Sequence, residues 1–131
     1  MKYQELTILI LEDERSLQAA IKSKLETEGF SVVAARTVNQ ALDYLKEGVK
    51  IDGVWLDHYL SGQESGLDFV AALKENQAWK NLPIFVVSNT ISQDKLQTYL
   101  SLGAQKCYIK VDYRLEAITA DIKKFLGGDR A

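Results

Sequence analysis

The feature that most constrains the fold is a fivefold alternation of short apolar runs with amphipathic segments. Each run has the composition of a strand buried on both faces, and the segment after it repeats its apolar residues at helical spacing. The runs cover residues 6–11, 31–35, 52–57, 83–87 and 106–109. This alternation predicts an α/β domain with a five-stranded parallel sheet and helices on both faces.

Local signals place the ends of the helices. Gly29, Gly48 and Gly103 follow the first, second and fourth amphipathic segments, where glycine commonly ends a helix. Thr37 is the predicted N-cap of the second helix. The third helix is predicted to carry Leu67, Val70, Ala71 and Lys74 on one face.

Length and composition limit the function classes. The 131 residues fit one domain, predicted over residues 1–126, with a short C-terminal tail at 127–131. Sixteen basic against eighteen acidic residues give a net charge of −2, which offers no reason to expect nucleic-acid or membrane binding. One cysteine and one histidine exclude an internal disulfide and multi-Cys or multi-His metal sites. Without an apolar run of ~18 residues or a signal peptide, the expected location is cytoplasmic.

The ends of the predicted strands carry most of the chemistry. Glu12 and Asp13 follow the first strand, Asp57 ends the third, Ser88 ends the fourth and Lys110 follows the fifth. In an open α/β sheet these carboxyl ends form the ligand-binding edge. Three carboxylates ~5 Å apart repel by about 3 kcal/mol per pair at an effective dielectric of ~20. Lys110 and a divalent cation would offset that repulsion, and an oxygen-only ligand set suits Mg²⁺.

Taken alone, each of these residues has an ordinary interpretation. Asp13 could cap a helix, Asp57 could form a turn, and Lys110 could be a solvated lysine. The joint placement of two acids, a hydroxyl and a lysine on four strand ends is what predicts a site.

Four segments that carry these residues resemble the response-regulator receiver domains of two-component signalling. They cover residues 8–14, 54–57, 83–88 and 103–110, and the resemblance extends from about Leu6 to Leu126. It is closest in kind to the chemotaxis-regulator type. The resemblance implies a flavodoxin-like (βα)5 fold and a self-phosphorylating signalling domain rather than a conventional enzyme.

The resemblance also implies residue roles. Asp57 would accept a phosphoryl group from a histidine kinase or phosphotransfer protein, while Ser88 and Lys110 would bind its oxygens. The implied Mg²⁺ ligands are Glu12, Asp13, Asp57 and the backbone carbonyl of Tyr59. Signalling would pass through the fourth helix, fifth strand and fifth helix to a protein effector or a fused output domain.

Some positions depart from the usual family pattern. Cys107 stands where an aromatic switch residue is common, and Tyr108 beside it should point to the other face of the sheet. Val111 replaces a common proline, and Asn89 replaces a small residue. Cys107 itself is expected to be a small buried hydrophobe.

The aromatic and histidine side chains near the site have less specific interpretations. His58 is expected to be a solvated loop residue. Tyr99 and Tyr113 are candidate partner contacts, because aromatic residues are enriched at interfaces; half-exposed packing is the alternative for each.

Two other functions stay open at this stage. A receiver-like docking module that does not switch by phosphorylation is mildly favoured by Cys107 and Val111. A small Mg²⁺-dependent phosphatase would usually carry Asp-x-Asp after the first strand, whereas this strand ends in Glu12-Asp13-Glu14.

Overall fold

The computed structural model describes residues 6–58, 60, 65–88, 91–109 and 114–127. Its strands are β1 (Thr7–Leu11), β2 (Ser31–Ala35), β3 (Gly53–Leu56), β4 (Ile84–Ser88) and β5 (Lys106–Ile109). Its helices are α1 (Arg15–Thr27), α2 (Val38–Lys46), α3 (Gly66–Lys74), α4 (Gln93–Ser101) and α5 (Leu115–Gly127). The predicted bounds of β2 and β5 are confirmed. The start of β1 differs from the prediction by one residue, and β3 and β4 differ by one residue at both ends.

All five strands are parallel, in the order β2-β1-β3-β4-β5. This order is the doubly wound arrangement of flavodoxin-like folds, so the predicted fold class is confirmed. It places β1 and β3 side by side at the centre, with β4 next to β3. The strand ends that carry Glu12, Asp57 and Ser88 are therefore neighbours.

Two apolar layers hold the helices against the sheet, because successive strand residues point to opposite faces. On one face, α1 and α5 pack against a core that includes Ile10, Trp55 and Tyr108. On the other, α2, α3 and α4 pack against a core that includes Leu11, Leu56 and Val86. The predicted placement of helices on both faces is confirmed.

The face of α3 identified from the sequence is only in part the face that is buried. Ala71 is exposed, and the Lys74 ammonium donates a hydrogen bond to the Lys80 carbonyl at 2.8 Å. The residues that α3 buries are Gly66, Phe69, Val70 and Leu73. The stripe is centred on Phe69, whose large apolar surface decides which side of the helix faces the sheet.

Glycines end three of the helices as predicted. Gly29, Gly48 and Gly103 have φ angles of 101°, 88° and 100°, in the left-handed region that other residues rarely adopt. Each follows the last turn of a helix and lets the chain reverse toward the next strand.

Candidate functional site

The backbone ladder brings the ends of β1 and β3 together. The Asp57 N–H donates to the Leu11 carbonyl at 3.0 Å, and the Glu12 N–H donates to the Ala35 carbonyl at 3.0 Å. These bonds extend the parallel pairing by one residue beyond the strands. They fix the first acid after β1 beside the acid that follows β3.

Glu12, Asp13 and Asp57 form one cluster of carboxylates. A carboxylate oxygen from each lies within 4.8 Å of the others. Glu12 and Asp57 are buried, whereas Asp13 is half-buried and gives the cluster an open side. Buried carboxylates this close need a compensating positive charge. An all-oxygen donor set with open coordination positions suits a hard divalent cation such as Mg²⁺.

Hydrogen bonds hold the loop between β1 and α1 in place. The Glu14 N–H donates to Glu12 Oε2 at 3.1 Å. The Gln18 amide donates to the Glu12 carbonyl at 3.0 Å and to the Ala35 carbonyl at 3.1 Å. Gln18 thus ties the loop to the end of β2 and restrains the acidic pair.

Arg36 braces the cluster from the end of β2. Its Nε donates to the Asp13 carbonyl at 3.0 Å, and its backbone N–H donates to the Gln40 side chain at 2.8 Å. The predicted N-cap is confirmed, since the Thr37 hydroxyl accepts from the Gln40 N–H. Sequence reasoning missed Arg36 although the signal was present: it directly follows a predicted strand, as Glu12 does.

Ser88 lies at the matching position on the next strand. It is the last residue of β4 and is buried. Because Leu56 pairs with Val86, Asp57 lies level with Val87, and Ser88 lies one residue further along the same edge. The structure therefore brings Glu12, Asp13, Asp57 and Ser88 to one edge of the sheet.

Several predicted positions lie outside the described residues. Lys110 follows the last residue of β5, and Tyr59 follows His58, but neither is described. The same holds for Asn89, Val111 and Tyr113.

The prediction that His58 is solvated is wrong. His58 is 1% exposed, and its Nδ1 lies 2.6 Å from the Tyr99 hydroxyl. Burial, together with the nearby charge of Lys95, lowers the pKa of His58 below its ordinary value of 6.5. The neutral imidazole is therefore the form present at neutral pH.

Tyr99 is not a surface contact, so that prediction is also wrong. Its side chain is fully buried in the core of the α2, α3 and α4 layer. Its ring meets the imidazole of His58 edge to face, with centroids 5.5 Å apart. Position on α4 alone suggested exposure, whereas the buried histidine supplies the partner that its hydroxyl needs.

Cys107 and Tyr108 point to opposite faces of β5, as predicted. Cys107 is half-buried against the layer that contains α4, and burial raises the pKa of its thiol to about 11. Tyr108 is buried in the layer that contains α1 and α5, and its hydroxyl donates to Asp121 at 2.9 Å. Hydrogen bonds from Lys106 and from Tyr108 hold the pKa of Asp121 below its usual value.

This fold and this acidic edge agree with a family match over most of the chain. The sequence model of the response regulator receiver domain matches residues 8–125. The chain therefore belongs to the response regulator receiver domain family of two-component signalling.

Curated relatives support the family assignment. The transcriptional regulatory protein CpxR of Escherichia coli K12 is 30% identical over 119 residues, which cover 91% of this chain and 48% of CpxR. The phosphate regulon regulatory protein PhoB of Klebsiella pneumoniae is 29% identical over 88% of this chain and 49% of PhoB. The chain thus spans about half the length of these relatives.

Solved structures share the fold. The phosphorylated cyanobacterial phytochrome response regulator RcpA superposes with a TM-score of 0.84 at 22% identity, over 98% of both chains. The chemotaxis protein CheY4 of Vibrio cholerae gives 0.82 at 21% identity, over 92% of this chain and 98% of CheY4. In the described part of this chain, no helix has the length and apolar character needed to cross a membrane.

Proposed function

We propose that this chain is a phosphoacceptor receiver domain in which Asp57 accepts a phosphoryl group from a phosphohistidine. The observation that carries the proposal is the cluster of Glu12, Asp13 and Asp57, whose carboxylate oxygens lie within 4.8 Å of one another. Asp57 lies between the acidic pair that follows β1 and Ser88 of β4, because β3 lies between these two strands. Family membership supports the same assignment.

The proposed Mg²⁺ ligands are Glu12, Asp13, Asp57 and the carbonyl of Tyr59. The bound ion would supply positive charge that offsets the carboxylate repulsion and neutralises phosphoryl oxygens. The chain's own residues supply the geometry. Gln18 and Arg36 restrain the backbone carbonyls of Glu12 and Asp13, so the acidic pair is held in position before a ligand arrives.

In the proposed transfer, a carboxylate oxygen of Asp57 attacks phosphorus while the bond between phosphorus and the donor nitrogen breaks. The electron pair of that bond stays on the nitrogen, and the ring keeps the proton on its other nitrogen, so neutral imidazole leaves. The Ser88 hydroxyl and the Lys110 ammonium would bind oxygens of the transferred group.

The proposed donor is a histidine kinase or a phosphotransfer protein of the cytoplasm. Phosphorylation replaces the single negative charge of the Asp57 carboxylate with a phosphoryl group that carries about two, beside Ser88, and this change would alter the surface formed by α4, β5 and α5. The proposed receiver of that change is a separate protein effector or an output domain in the same polypeptide. CpxR and PhoB are transcriptional regulators by name and are about twice as long as the matched region.

The test is incubation with acetyl phosphate and Mg²⁺, followed by intact-mass measurement. Wild-type protein should gain one phosphoryl group, and Asp57→Asn should gain none. Asp43→Asn is the matched control, because Asp43 is an exposed carboxylate on α2, away from the strand ends. It should be phosphorylated like wild type.

Two other outcomes would overturn the proposal. Mg²⁺ binding without any adduct would favour the docking module that does not switch by phosphorylation. Rapid phosphate release from many monoesters would favour the phosphatase.

A further inference from the structure

Helix α4 is attached to the body of the domain by one fully buried side chain. Of its nine residues, only Tyr99 is buried, and Leu96 is half-buried. Leu100 is 40% exposed. The position of α4 therefore depends strongly on the contacts that Tyr99 makes.

Tyr99 makes its polar contact with the residue that directly follows Asp57. The Tyr99 hydroxyl lies 2.6 Å from His58 Nδ1, and both side chains are buried. The His58 carbonyl accepts a hydrogen bond from the Gly66 N–H at 3.0 Å, at the start of α3. His58 therefore joins the end of β3, the first turn of α3 and the inner face of α4.

The packing around this contact leaves no spare room. A Cβ atom placed on Gly66 would clash with the Tyr99 hydroxyl and lie 3.0 Å from the Asp57 carbonyl oxygen. The start of α3 is thus in contact with both the backbone of Asp57 and the Tyr99 hydroxyl. In interiors packed at such density, a displacement of one group is passed to its neighbours.

The tyrosine on β5 has a different role. The Tyr108 hydroxyl lies on the opposite side of the sheet and donates to Asp121 of α5. Cys107 faces the α4 layer but carries only a thiol in a half-buried position. From α4 itself, the Tyr99 hydroxyl reaches the side chain of the residue that follows Asp57.

We propose that His58 and Tyr99 are a positioning pair that couples the state of Asp57 to the position of α4. The inference rests on the proposed phosphoacceptor role of Asp57. Neither side chain touches the phosphoryl group. A shift of the backbone at Asp57 on phosphorylation moves His58, and the hydrogen bond carries that shift to the helix it anchors. By linkage, a partner that fixes α4 changes the free energy of phosphorylation by the same amount.

The test compares Tyr99→Phe with a matched variant, Tyr44→Phe. Each substitution removes one phenol hydroxyl and keeps the ring; the Tyr44 hydroxyl on α2 donates to the Ala34 carbonyl at 3.2 Å. All proteins are treated with acetyl phosphate and Mg²⁺, and adducts are counted by intact mass. Hydrogen exchange of peptides covering Gln93–Ser101 is then compared with and without the adduct.

The quantity compared is the ratio of the α4 exchange rate with the adduct to the rate without it. In wild type and Tyr44→Phe this ratio should differ from one. In Tyr99→Phe the adduct should form, but this ratio should move toward one by about threefold to tenfold, the factor that one hydrogen bond of ordinary net strength represents. A merely structural role would raise exchange equally in both states and leave the ratio unchanged. If Tyr99→Phe forms the adduct and its ratio equals that of wild type, the coupling is overturned and the proposed function is not.

His58→Phe removes the same hydrogen bond from the other side and guards against a folding defect in one variant. It should lose the α4 response as Tyr99→Phe does, and the double variant should lose no more than either. Additive losses would contradict a shared contact. Failure of wild type to form any adduct would overturn the proposed function, and the coupling with it.

Discussion

Helices α3 and α4 have the same length and lie on the same face of the sheet, yet they are held very differently. Each has nine residues and follows a serine N-cap. Helix α3 buries Gly66, Phe69, Val70 and Leu73, whereas α4 buries Tyr99 alone. Stability is uneven across a domain, and segments with few buried side chains open first. The comparison therefore separates a rigid support of the site from an element free to respond.

The two helices meet at the candidate site. The first residue of α3, Gly66, contacts the buried hydroxyl of α4's Tyr99 and the backbone of Asp57. A firmly packed helix and a loosely packed one thus share a junction beside the proposed phosphoacceptor. Under the proposed coupling, a local change at Asp57 would alter α4 while α3 stays packed against the sheet.

The largest effect should come from removing the main anchor of α3. Phe69→Ala empties a fully buried site, so the free energy of unfolding should fall by about 3–5 kcal/mol. Leu100→Ala on α4 is the comparison, because that side chain is 40% exposed and its loss should cost less than about 1 kcal/mol. Urea titration of both variants measures the difference. Equal losses would mean that α4 is packed as firmly as α3.

Cys107 should report how well the α4 side of the sheet stays closed. Burial raises the pKa of its thiol from 9.0 to about 11, so at pH 8 the reactive thiolate should be about 100-fold scarcer than in the unfolded chain. Alkylation by iodoacetamide, followed by mass spectrometry, should slow accordingly and recover in urea. Since the folded state holds this proton more tightly, the contribution to stability declines as the pH rises from about 9 to 11. A rate equal to that of the unfolded chain would mean that this face opens freely.

The elements of the fold could be predicted because periodicity and helix-ending glycines are local signals. Short windows of sequence were enough to predict the bounds of β2 and β5, the turns at Gly29, Gly48 and Gly103, and the carboxylates at the strand ends. These three carboxylates, which directly follow β1 and β3, come together because parallel strands end at one edge.

What could not be predicted depends on contacts between distant segments. His58 and Tyr99 are forty-one positions apart, so neither residue's surroundings contain the other's signal. Histidine is polar, so a histidine after a strand is expected to face solvent. It is buried only where another group, such as a hydroxyl, can form a hydrogen bond with it. The same reason explains α3, where spacing alone could not show that Phe69 would set the buried face.

A smaller effect is expected from filling the junction between the two helices. Gly66→Ala adds a Cβ where the Tyr99 hydroxyl and the Asp57 carbonyl oxygen leave no room, so stability should fall by about 1–3 kcal/mol. Gly127→Ala is the matched control at the end of α5, where the added atom would meet only Leu6 at an ordinary 3.7 Å. Thermal melts of both variants measure the effect. A neutral Gly66→Ala would show that α3 and α4 separate easily and that the junction is looser than described.

The smallest effect tests the two N-caps. The Ser65 hydroxyl accepts from the Leu67 N–H, and Asp68 accepts from the Ser65 N–H, whereas the Ser92 hydroxyl accepts from the Lys95 N–H. Each Ser→Ala change should remove about 1 kcal/mol from its own helix. Because α3 is part of the core, Ser65→Ala should lower the urea midpoint of the whole domain. Ser92→Ala should instead speed hydrogen exchange within α4 and leave the midpoint nearly unchanged, since α4 can open while the sheet and α3 stay folded. Equal shifts of the midpoint would place both helices in one cooperative unit, and α4 could then not move separately from the site.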